Sequence, residues 1–126
     1  MLATQVEAYR KAHKAAMSGR EIEAAVLTQA AVKLLNCQDG WGTEGHEKRL
    51  DEALRFNQLV WSIFQSELAK TDNPLPKKIK EDLLNLSAFI DKRIFETKAY
   101  PESEKLTIMV NINMNIAAGL RGSTGI

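Results

Sequence analysis

Residues 46–70 place so many apolar side chains at helical spacing that no single neighbour covers them. Leu50, Leu54, Asn57, Trp61, Phe64 and Leu68 fall on one stripe, and Ala53, Phe56, Val60 and Ile63 on the adjacent one. That arc is wider than the single face of an ordinary surface helix. The segment is therefore expected to be the central helix of a bundle, packed against two or more others. The stretch Asp72-Asn73-Pro74-Leu75-Pro76 follows it. Pro74 cannot continue a helix, and Pro76 can open the next one where a missing backbone donor costs nothing.

The same period recurs on both sides. Leu2, Val6, Tyr9, His13 and Ala16 share one face of residues 2–17, with Arg10, Lys11 and Lys14 around it. Ser18 and Glu21 then form the S-x-x-E pattern of a capping box, which predicts a helix over 19–36. Its apolar face is Val26, Leu27, Ala30, Ala31, Leu34 and Cys37, and the alanines let a neighbour approach closely. Gly40, Gly42 and Gly45 stop that helix and make a connector. Residues 76–97 line up Ile79, Leu83, Leu86, Ile90 and Ile94 as a buried face, ended by Tyr100-Pro101.

Residues 102–120 are ambiguous in pattern, because Ile108, Val110, Ile112, Met114 and Ile116 also alternate as a half-buried strand would. No other segment offers a matching period of two, and a lone strand leaves its backbone groups unpaired. Helical spacing instead gives the coherent face Leu106, Met109, Val110, Asn113, Ile116, Ala117 and Leu120. The expected fold is thus all-α, one domain over residues 1–126 built as a compact bundle of about five helices, with 121–126 a loose tail. A chain of 126 residues is long enough to hold such a core without metal or disulfide.

Charge and chemistry narrow the function. With 17 basic and 16 acidic side chains the formal charge is +1, no field to hold a polyanion, so a protein partner is favoured over nucleic acid. The single cysteine, Cys37, fits a reducing compartment, and early charges at Glu7, Arg10, Lys11 and Lys14 leave no signal or membrane span to read. The cytoplasm is expected. His13, Cys37 and His46 form no tight ligand pair, and no second histidine follows His46-Glu47, so neither metal nor cofactor is expected. Cys37 reads as a small buried thiol and His46 as an exposed early helix residue. The acidic pairs Glu21/Glu23, Asp51/Glu52 and Glu81/Asp82 read as solvated helix edges, so no enzyme is expected.

Four side chains stand out. Asn57 and Asn113 interrupt apolar stripes, and a buried amide without partners costs about 1–3 kcal/mol, so they are expected to bond across helices as a polar core. Whether they fix helix register or touch a ligand stays open. Phe89 lies off the main stripe of its helix, either as an exposed anchor for a partner or packed on the first or last helix. Trp41, in its glycine frame, is expected to pack over a helix end.

Taken in order, Arg55-Phe56-Asn57-Gln58-Leu59-Val60-Trp61-Ser62-Ile63-Phe64, Asp72-Asn73-Pro74-Leu75-Pro76, Asn85-Leu86-Ser87-Ala88-Phe89-Ile90-Asp91 and Ile112-Asn113-Met114-Asn115-Ile116-Ala117-Ala118-Gly119-Leu120 closely resemble the bacterial flagellar biosynthesis regulator FlaF family over roughly residues 5–121. That resemblance, not composition, implies a cytoplasmic factor that acts on flagellin, promoting its synthesis and export in a regulatory pair with FlbT. The alternative it leaves is a translational regulator acting on flagellin messenger RNA directly or through FlbT. A helix-in-groove grip on a disordered, amphipathic flagellin terminus is expected, with Asn85 and Phe89 joined to Asn111 and Asn115 as the partner surface. Whether one copy or two does this is open.

Overall fold

Helices account for most of residues 19–122, which the computed structural model describes. Their elements are α1 (Gly19–Asp39), α2 (His46–Leu68), α3 (Lys77–Ala99), a 3-10 turn (Ser103–Leu106) and α4 (Thr107–Arg121). No strand occurs among the described residues, so the last segment takes the helical reading. The expected helix over 2–17, Ser18 of the capping box and the tail after Gly122 lie outside the described residues. Four of the five expected helices are therefore accounted for, and the last opens with the 3-10 turn instead of running as α-helix from Glu102.

α1 and α4 form the most extensive pairing, and they run antiparallel. At one end the Gln38 Nε2 donates to the Ser103 carbonyl at 2.9 Å and to the Thr107 hydroxyl at 3.0 Å. At the other, Arg121 Nη1 donates to the Thr28 hydroxyl at 3.1 Å. Ala24, Ala30 and Ala31 are fully buried on α1, and their short side chains bring neighbouring backbones close. α1 meets α2, α4 and the 3-10 turn, so it shares the centre of the core with α2, the helix expected there. α2 does pack against both α1 and α3, as its wide arc requires.

The long stripe of α2 is covered: Leu50, Leu54, Asn57, Trp61 and Leu68 are buried and Phe64 half-buried. Each buried leucine, isoleucine or methionine of this kind stabilises the fold by about 1.5–3 kcal/mol. The adjacent stripe is covered only in part, since Ala53 and Val60 are buried but Ile63 is 54 % exposed. Lys33 Nζ lies over the Phe56 ring, 5.1 Å from its centroid, shielding it from α1's side.

α3 departs most from expectation. It packs on α2 and touches the 3-10 turn but has no extensive interface with α1 or α4. Ile90 and Ile94 are buried as expected, while Leu83 and Leu86 are half-buried and Ile79 is 45 % exposed. The expected face fails at its start because a helix held from one side buries a narrower strip than a central one. Gln65 Nε2 fastens the pair by donating to the buried Ser87 hydroxyl and, at 3.0 Å, to Asp91 Oδ2.

The connectors are held by single side chains. Gly45 precedes α2 with φ 81, a left-handed conformation that favours glycine. Arg49 reaches back from α2 to the carbonyls of Glu44 at 2.7 Å and Gly40 at 3.1 Å and to the Thr43 hydroxyl at 2.7 Å. After α2, Asn73 donates to the Glu67 carbonyl at 3.1 Å and accepts from the Leu75 amide at 3.0 Å. That Asx turn shapes the proline segment and satisfies one of the helix's last carbonyls.

Candidate functional site

Where the first half of α1 faces the second half of α2, the outer sides of both helices remain apolar. Ile22 and Val26 on α1 and Val60, Ile63 and Phe64 on α2 wall an open groove. Gly19, Glu23, Phe64 and Glu67 belong both to that groove and to a chamber of about 370 Å³ beside it. The chamber gathers Trp61 and Leu68 from α2, Leu75 from the proline turn, Leu83 from α3 and Ile116 and Leu120 from α4. Its size falls within the range of pockets that enclose a ligand group, and its walls are mostly apolar.

Glu23 stands at the junction of groove and chamber. Burial pushes its carboxyl above the usual carboxylate range, the charge of Glu67 adds to the shift, and Arg20 opposes it. Glu67 is paired to Lys70 at 2.9 Å, and the hydrogen bond and charge of Glu67 raise the lysine in turn. Glu23 makes no hydrogen bond or ion pair among the described residues. Such a site can receive apolar side chains and a cation. No group of three or more His, Cys, Asp or Glu stands ready to hold a metal among the described residues.

Behind the chamber, α2 and α4 are joined by a chain of amides. Trp61 Nε1 donates to Asn113 Oδ1 at 2.9 Å, Asn113 Nδ2 donates to Asn57 Oδ1 at 2.7 Å, and Asn57 Nδ2 donates to the carbonyls of Ala53 at 2.9 Å and Ala30 at 3.2 Å. The direction is fixed at both ends, because an indole N–H only donates and a carbonyl only accepts. Asn57 and Asn113 thus meet each other, fully buried, as the expected polar core.

The sequence matches the family model described as flagellar protein FlaF over residues 5–120. The chain belongs to the FlaF family. No curated protein and no solved structure gives a significant match. In this FlaF family member, Asn85 and Phe89 are exposed on α3 and Asn111 and Asn115 are exposed on α4. Those two helices share no extensive interface, and none of the four residues lines the groove or its chamber. Arg93 lies over the Phe89 ring at 5.4 Å. Trp41 packs over the end of the core, edge-on to His46 with ring centroids 4.6 Å apart, which leaves His46 half-buried instead of exposed. Cys37 is buried, and burial pushes its thiol up, against the pull of Arg49 and Lys33.

Sequence reasoning about this FlaF chain did not single out Ile22 or the junction role of Glu23. The available signal was a second apolar pair on α1, Ile22 and Val26 at i,i+4, matched by the surplus Ile63 on α2. No helix among the described residues is long and apolar enough to cross a membrane.

Proposed function

We propose that this flagellar protein binds flagellin in the cytoplasm before export, seating one of its amphipathic segments in the α1–α2 groove. The reading is carried by one observation: a chain of a flagellar family keeps a continuous apolar groove, open at Ile22 and Ile63 and deepening into a chamber. An amphipathic helix laid there buries its apolar face while its polar face stays in water. Holding flagellin in this way links its supply to its delivery, and FlbT enters as the regulatory counterpart. Action on flagellin messenger RNA has less support, since the formal charge is only +1 and RNA binding draws on clustered cations.

The test is a titration of the full chain against purified flagellin and against flagellin leader RNA, at low and raised salt. Flagellin binding that changes little with salt, and that weakens about tenfold or more in Ile63→Glu, supports the reading. Ile63 is 54 % exposed, so that variant keeps the fold. Steeply salt-dependent RNA binding without flagellin binding refutes it.

A further inference from the structure

Resting on the groove reading above, we propose that the bound segment carries a lysine or arginine about one helical turn from a bulky apolar anchor, and that Glu23 with Glu67 selects for that cation. The chamber has room for a bulky side chain, about 370 Å³ walled by Trp61, Leu68, Leu83 and Leu120 among others. The groove leading to it is lined along α1 by Ile22 and Val26 and along α2 by Val60 and Ile63, which suits a helix's apolar stripe. The two spaces meet at Glu23 and Glu67. A residue one turn from the anchor on the incoming helix therefore arrives beside the carboxylates, since positions three or four apart share a face.

Charge sets which residue is accepted there. Glu23 is partly buried beside a second carboxylate, without an ion pair or hydrogen bond among the described residues, and its carboxyl is raised by both effects. Lys70 is already held by Glu67 at 2.9 Å, and Arg20, which also lines the chamber, opposes the shift as the smallest of its causes, so the Glu23 carboxyl stays raised. An arriving ammonium or guanidinium relieves the repulsion between the two carboxylates, while an arriving carboxylate adds to it.

The experiment uses the full chain and short synthetic amphipathic helices that share one apolar face with a phenylalanine anchor. One peptide carries Lys four residues from the anchor, one carries Gln and one carries Glu. The Lys peptide is expected to bind about fivefold more tightly than the Gln peptide and the Glu peptide more weakly still, the range of a partly desolvated ion pair. In Glu23→Gln the three affinities should converge to within about twofold. Three peptides that bind the native chain alike, or a Lys preference that survives in Glu23→Gln, overturn the proposal. So does the failure of every peptide to bind, as when a second copy or the chain's own residues fill the groove. Flagellin is titrated in parallel. If it binds but is indifferent to Glu23→Gln, the cation falls and the flagellin reading stands; if the Lys peptide binds selectively and flagellin does not, the reverse holds.

Discussion

Replacing Asn113 by leucine keeps the branched outline of the side chain but strips two buried groups of their partners. The Trp61 indole N–H loses its only acceptor among the described residues and Asn57 Oδ1 loses the amide that donates to it. Both residues are buried, Trp61 to 1 % exposure and Asn57 completely. Each orphaned buried group costs about 1–3 kcal/mol, and the added apolar burial of leucine returns about 1 kcal/mol, leaving a net loss of roughly 1–5 kcal/mol. With a urea dependence of about 1.5 kcal/mol per molar, the unfolding midpoint should fall by roughly 1–3 M at unchanged slope. Circular dichroism in urea measures this. A midpoint within about 0.3 M of the native chain refutes the argument. A double-mutant cycle sharpens it: in a Trp61→Phe background one orphan is already gone, so Asn113→Leu should cost at least about 1 kcal/mol less, and additivity within about 0.5 kcal/mol is the refuting result.

Four further outcomes are expected. Gly119→Ala should raise stability by about 0.5–1 kcal/mol in thermal or urea unfolding, because its α4 position is open, with nothing within 4 Å of an added Cβ. Gly45→Ala should lower it by about 1 kcal/mol, since φ there is 81 and the Arg49 guanidinium stands 3.1 Å from the added carbon. The burial-raised carboxyl of Glu23 favours the folded state below the ordinary glutamate pKa, and that contribution is lost as pH rises through the raised value. Melting curves across that window should therefore show Glu23→Gln gaining on the native chain from acid to neutral pH. Cys37, buried and raised, should react with a thiol reagent far more slowly in the native chain than in denaturant, and equal rates would contradict its placement.

Helices were legible in the sequence because each segment buries one face, and burial is what writes the 3.6-residue period. The last helix was the hardest case, and it was decided by the absence of a strand partner more than by its own pattern. Asn57 and Asn113 announced themselves as polar intrusions in apolar stripes, yet Trp61 as their third partner did not, since it lies 52 residues from Asn113 and only packing brings it there. The exposure of Ile79 follows from α3 having one main neighbour, a tertiary fact that no window of sequence holds. The partner surface assembled from Asn85, Phe89, Asn111 and Asn115 assumed that α3 and α4 lie side by side, and their lack of an extensive interface separates its halves. The groove escaped notice because Ile22 and Glu23 flank the buried stripe of α1, where sequence reasoning sees only a solvated margin.

The chamber draws a wall from every described helix: Gly19 where α1 begins, Leu68 where α2 ends, Leu83 near the start of α3 and Leu120 near the end of α4. An occupant there acts as a keystone, touching pieces of chain that only the finished arch brings together. Its grip and the integrity of the protein are thermodynamically linked, so saturation at a hundred times the dissociation constant should add about 2.7 kcal/mol of resistance to unfolding. Melting temperature alone would then rank one client polypeptide against another.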